Sequence, residues 1–317
     1  MKITWILVLI CSLMLANCTK APPPPIKIAI NPWPGYEFLF LAQTQGFFEE
    51  VGLNLTLVPF GTLSDAQRAY VSGRANGLAS TMIEAVQSQV LGENPLKIVL
   101  IPDYSNGGDV VIGMSPLNSV QDLKGKRVGA EVSSLGIYML HRTLASVGLT
   151  LGDVELINIE QSAADQAFEE DRIDAYVTYP PYSLEMLKRE GMRTLFTSAS
   201  IPFDIVDTIA ISRETLAKNP DLVPKLHQAW GKAIRFTNEN SREAIAIMAQ
   251  RQGISSEDFA AVLGDIHVLD PTEQRQTFTQ PDKLQEKAVD VCNLLASVKA
   301  IEFDCSSLPD IIYRGKI

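Results

Sequence analysis

The chain has 317 residues, 46% of them hydrophobic and 20% charged, with a formal net charge of −10. That length supports two lobes with separate cores, and the acidity, without any basic run or basic-aromatic stripe, argues against a nucleic-acid partner. Overall acidity does not fix the charge of a pocket, so it leaves the ligand open.

Near the N-terminus, Lys2 and the apolar residues 5–15 (WILVLICSLML), a run too short to span a bilayer permanently, read as a secretory leader over 1–17. Leu15-Ala16-Asn17-Cys18 approaches a lipobox, in which Cys18 is lipidated and opens the mature protein. Asn17 departs from the usual small residue, and an ordinary leader with an incidental Cys18 is the alternative. Residues 18–25, ending in APPPP, form a stiff tether. These features predict a periplasmic-side protein of the cell envelope, anchored to membrane by lipid.

Strands and helices then alternate. Strands are expected at 26–30 (IKIAI), 53–60, 77–80, 97–104 (KIVLIPDY) and 109–114 (DVVIGM), with helices at 38–51, 65–74 and 82–91 between them. This rhythm implies a largely parallel sheet with helices on both faces. A second unit repeats it, with strands at 127–131, 154–160, 173–179 and 192–198. Its helices are expected at 135–147 and 163–171, and a third opens on Pro180-Pro181. A strand at 204–214 places Ile205, Asp207 and Ile209 on one face, and after it only helices are expected, at 220–238, 241–251, 255–263 and 282–300. The predicted organisation is a discontinuous first lobe (26–114 and 205–317) and a second lobe (115–204). Crossings near 115–121 and 199–204 would leave a hinge and a cleft.

Cys11 leaves with the leader. In an exported chain Cys292 and Cys305 are expected to form a disulfide tying the last helix to the tail, with two free thiols as the alternative. His141, His227 and His267 are scattered, and no metal or cofactor is expected. Phosphate-binding loops, G-x-G-x-x-G and HExxH are missing, and Val132-Ser133-Ser134-Leu135-Gly136 lacks the first glycine of a nucleophile elbow. The pattern favours a binding protein over an enzyme.

Candidate ligand contacts lie at the carboxyl ends of strands. Pro32, Pro34 and Gly35 stiffen a turn that carries Trp33 and Tyr36, either as a pocket wall or as packing over the lobe. Thr81 opens a helix, where capping alone would explain it. Ser133 and Ser134 open another, where N–H groups and hydroxyls could seat an anion, although a cap needs only one serine. Asp109 follows a Gly-Gly turn and Asp207 interrupts an apolar strand. A ligand ammonium would satisfy both, as would turn chemistry and an internal salt bridge.

In order, NPWPGYEFLFLAQTQGFF, SNGGDVVIG, DLKGKRVGAEVSSLG, EEDRIDAYVTYPP and IVDTIAISRE resemble the nitrate/sulfonate/taurine class of ABC-transporter substrate-binding proteins, related to thiamin-pyrimidine-precursor binders. The likeness covers about residues 26–240. It implies a type II periplasmic-binding-protein fold, two α/β lobes closing on a small-molecule ligand, delivered to a permease and its ATPase. Trp33 and Tyr36 match the aromatic wall, Ser133 and Ser134 the anion-binding helix start, and Asp207 the inter-lobe strand contact. Asp109 matches an acid found in one subgroup. Tyr179 stands where the class often has a tryptophan before the proline. The implied function is a monomeric receptor for a taurine-like zwitterion. An aminopyrimidine or other small organic ligand is the alternative, as is a sensor for a membrane kinase.

Overall fold

The computed structural model describes residues 24–317. The leader, Cys18 and all but the last two residues of the tether fall outside the described residues. The first six strands are β1 (Ile26–Ile30), β2 (Leu55–Pro59), β3 (Gly77–Thr81), β4 (Leu96–Leu100), β5 (Asp103–Ser105) and β6 (Val110–Met114). The rest are β7 (Arg127–Ala130), β8 (Glu155–Asn158), β9 (Ala175–Thr178), β10 (Met192–Thr197), β11 (Asp207–Ser212) and β12 (Ile266–Val268).

Two five-stranded sheets result, ordered β2-β1-β3-β11-β4 and β8-β7-β9-β6-β10. The two orders are the same pattern, with β6 in the place of β11. In each sheet one strand runs against the other four, β11 in the first and β6 in the second. Those are the strands entered directly after each crossing. Each lobe is thus completed by a strand reached from the other lobe, which forces two connections and a cleft between the sheets. This is the type II periplasmic-binding-protein fold. The interior strands β3 and β11 are buried along their whole length, on both faces.

Several boundaries differ from the sequence expectation. β6 pairs with β9 and β10 in the second sheet, so the first crossing precedes Val110 instead of falling near 115–121. An apolar run such as DVVIG carries no mark of which sheet it joins. The expected 38–51 helix is two, Glu37–Thr44 and Phe47–Glu50, separated by Gly46 at φ +72°, a conformation glycine adopts without penalty. The 97–104 strand is also two, because Pro102 has no N–H to donate and the ladder stops before it. The region after β11 is not purely helical: β12 pairs antiparallel with β5. Helices Arg213–Lys218 and Pro271–Phe278 were not anticipated. The second carries a readable signal, a capping box from Asp270 to Glu273 with proline at the first turn.

Cys292, on the helix Pro281–Ser297, is bridged to Cys305 in the tail, with Cα atoms 5.7 Å apart. Closing a loop of this size restricts the unfolded chain, so replacing both cysteines with alanine is expected to cost about 2–3 kcal/mol. Urea denaturation of the two proteins checks this.

Candidate ligand-binding site

The exit of β1 is built around two glycines. Trp33 is extended, and Pro34–Tyr36 makes one tight helical turn with proline at its start. A Cβ on Gly35 would fall 1.8 Å from Oδ2 of Asp103, and one on Gly108 would fall 2.8 Å from the Trp33 ring. Only glycine lets the Asp103 carboxylate and the indole approach the backbone this closely. Trp33 Nε1–H donates to both Asp103 oxygens, at 3.1 and 3.2 Å. The Tyr36 hydroxyl donates to Asp207 Oδ1 at 2.5 Å. Rigidity at this turn therefore fixes an aromatic pair onto two acids.

Three buried aspartates converge here. Asp207 opens β11 opposite Thr81 of β3, Asp103 opens β5, and Asp109 lies in the crossing between β5 and β6. The crossing is stitched by serines: Ser198 Oγ accepts from Gly107 N–H at 2.7 Å and lies 2.8 Å from Ser105 Oγ, which accepts from Asp109 N–H at 3.2 Å. Asp109 thus sits on the hinge itself. Burial pushes the Asp103 and Asp109 carboxyls up to about 7. Burial, then the charge of Asp103, also raises Asp207 well above the usual carboxylate range. Asp207 Oδ2 meets no donor, and its polar neighbour is the Asp103 carboxyl. Two buried acids facing each other disfavour ionising together.

From the second lobe, Tyr179 at the end of β9 meets Trp33 edge-on, ring centres 6.3 Å apart, and meets Tyr182 in the same manner at 5.9 Å. Asn31, Trp33, Tyr36, Leu63, Thr81, Asp109, Leu135, Tyr179 and Asp207 line one inter-lobe cavity of about 230 Å³. It is narrow: the centre of a water molecule can range over only about 10 Å³, so a ring-sized ligand requires the lobes to part further. No Arg, Lys or His lines it. Asp109 Oδ2, Asn31 Oδ1 and the Tyr179 hydroxyl are buried without a partner, and the Asn31 amide is oriented by donating its Nδ2–H to Pro32 O at 3.0 Å. Among the described residues no group of His, Cys, Asp or Glu is arranged to hold a metal ion.

Of the residues singled out in the sequence, Trp33, Tyr36, Thr81, Asp109, Tyr179 and Asp207 share this cavity. The Thr81 hydroxyl is committed to its helix, accepting from Ile83 N–H at 3.1 Å and donating to Glu84 Oε2 at 2.6 Å. Ser133 and Ser134 are not cavity residues. Ser133 is exposed, with its hydroxyl 3.5 Å from Ser64 Oγ, and the buried Ser134 hydroxyl donates to Glu131 Oε2 at 3.3 Å. The expected anion seat is filled from within: Leu135 N–H, at the start of the helix Leu135–Ala145, donates to Glu84 Oε1 at 2.7 Å. Burial pushes Glu84 up to about 7.

Sequence reasoning missed Asp103, Asn31, Glu84 and Glu131. Asp103 was hidden inside an apolar run read as one strand. Glu84 had a visible local signal, the Thr81-x-x-Glu84 capping box, but nothing local shows its reach to Leu135.

The likeness to known proteins agrees with this architecture. The NMT1/THI5 like family pattern matches residues 33–244. A relative in Escherichia coli (strain K12) named "Putative aliphatic sulfonates-binding protein" is 24% identical over 177 residues, 56% of this chain and 54% of that protein. One in Haemophilus influenzae named "Putative thiamine biosynthesis protein" is 26% identical over 162 residues, 50% of this chain and 52% of that protein. The chain thus spans about half the length of these curated relatives. The alkanesulfonate-binding protein SsuA from Xanthomonas axonopodis pv. citri, solved bound to MOPS, has the same fold, with a TM-score of 0.73 at 18% identity over 93% of this chain and 100% of that one. The chain belongs to the NMT1/THI5-like family.

Proposed function

We propose that this chain is the periplasmic solute receptor of an ABC importer, held to the membrane through lipid on Cys18. Its ligand, on this reading, is a small planar cation rich in N–H donors, of the aminopyrimidine kind. The observation that carries the ligand class is a cavity with unpartnered acceptors on Asp109 and Asn31, a second acid in Asp207, and no basic residue. Buried acceptors without donors are costly, and a ligand that supplies N–H groups and positive charge removes that cost. Trp33, Tyr36 and Tyr179 supply flat apolar walls for a ring.

The taurine-like zwitterion loses its anionic half here, because the helix start that would hold a sulfonate is already taken by Glu84. Closure of the two lobes would present the loaded receptor, as a monomer, to a permease and its ATPase. The receptor does no chemistry on the ligand.

A thermal-shift panel tests the reading. A 4-amino-5-aminomethyl-2-methylpyrimidine at a hundred times its Kd is expected to add about 2.7 kcal/mol of stability. Taurine, ethanesulfonate and nitrate are expected to add none. Stabilisation by ethanesulfonate or nitrate and not by the pyrimidine would overturn the assignment.

A further inference from the structure

Two glutamates that do not line the cavity occupy two helix starts of the second lobe beside it. Glu84 is fully buried, three residues into the helix Met82–Leu91 of the first lobe. Its Oε2 accepts from Thr81 N–H (3.0 Å) and the Thr81 hydroxyl within its own lobe. Its Oε1 crosses the cleft to Leu135 N–H. Glu131, also buried, sits on the other side of the same helix start. One of its oxygens accepts from Gln161 N–H at 3.1 Å, at the start of the helical turn Gln161–Ala163. The other accepts from the hydroxyls of Ser134 (3.3 Å) and, across the cleft, Ser64 (3.4 Å).

We propose that Glu84 and Glu131 are specificity-determining residues: built-in carboxylates that fill the anion seats of the second lobe and so exclude sulfonates and other free oxyanions from the cleft. A free anion approaching Leu135 N–H must displace Glu84 or share one weak partial positive charge with it. Neither glutamate has a Lys or Arg partner to retreat to among its contacts. Independently, three of the four unpartnered buried atoms on cavity residues, Asp109 Oδ2, Asp207 Oδ2 and Asn31 Oδ1, are carboxyl or amide oxygens, and the fourth is the Tyr179 hydroxyl, so the lining offers an anion one neutral donor and no positive charge. Thr81 and Leu135, the two residues bridged by Glu84, both line the cavity, so shortening Glu84 extends it to the helix start. This inference rests on the proposed ligand class and explains how a fold shared with an alkanesulfonate receptor could be turned away from sulfonates.

Calorimetry of the full mature chain with ethanesulfonate, and separately with the aminopyrimidine, tests it in the wild type, Glu84→Ala, Glu84→Gln and Glu131→Ala. Glu84→Ala is expected to bind ethanesulfonate at least about tenfold more tightly than the wild type, a gain of about 1.4 kcal/mol. Glu84→Gln keeps an acceptor for Leu135 without the charge, and is expected to gain less. It also decides the matter if the alanine variant does not fold. The inference is overturned if folded variants gain no affinity for ethanesulfonate. If they gain none while the wild type still binds the pyrimidine, the ligand reading stands without it. If the wild type binds ethanesulfonate and not the pyrimidine, both fall.

Discussion

Replacing Asp109 with asparagine is expected to weaken capture about 100-fold while making the ligand-free protein more stable at alkaline pH. The two effects have one cause. Asp109 is buried on the hinge with one oxygen unpartnered, and burial holds its carboxyl at about 7 in the folded chain against an ordinary value of 3.8. The folded state therefore binds a proton that the unfolded state has released. For a raised carboxyl the contribution to stability is fully present below the unfolded value and is lost as pH rises through the folded one. The ligand-free wild type is thus expected to be more stable at pH 5 than at pH 8, the reverse of a protein stabilised by carboxylate salt bridges. Asparagine keeps the shape and removes the titration, so Asp109→Asn is expected to gain about 1–3 kcal/mol at pH 8 and little at pH 4. Loss of the charge-assisted contact to a ligand cation should weaken binding about 100-fold. Thermal melts across pH, paired with calorimetry, read both numbers. A variant that binds as well as the wild type would remove Asp109 from the site.

Trp33→Ala is the second large effect. The ring is one wall of the cavity, packs over Gly108, meets Tyr179 across the cleft and is the donor that satisfies Asp103. Truncation removes the wall and strips that acid of its indole partner. It is expected to cost about 3–5 kcal/mol of stability and to weaken capture beyond 100-fold, with each lobe still folded. Trp33→Phe separates the two roles, because it keeps a ring and loses the N–H. If phenylalanine restores full affinity, the Asp103 contact contributes nothing to the ligand.

Much of the fold was legible because its signals are local. The strand at 26–30 and the helix at 82–91 fall where apolar runs and a threonine cap put them. The stiff Pro32-Trp33-Pro34-Gly35 turn was readable as a candidate wall, and Trp33 and Tyr36 do line the cavity. The unreadable parts depend on contacts between distant segments. Nothing in DVVIGM shows that β6 belongs to the second sheet. Nothing in Val132-Ser133-Ser134 shows that its helix start is already filled by Glu84, a residue 51 positions from Leu135. The same distance effect turned the expected pairing of an anion seat with an acidic seat into a cavity whose charged lining is acidic alone, Asp109 and Asp207.

The central claim, that buried acids ionise to receive a cation, is tested most directly by calorimetry of the aminopyrimidine at pH 5.5 and 7.5 in two buffers of different ionisation enthalpy. The side-chain ammonium stays protonated across this range, whereas a carboxyl held at about 7 does not stay ionised. The account predicts proton release on binding and an affinity about 20-fold higher at pH 7.5. An affinity that is flat with pH, or that strengthens on acidification with proton uptake, would contradict it.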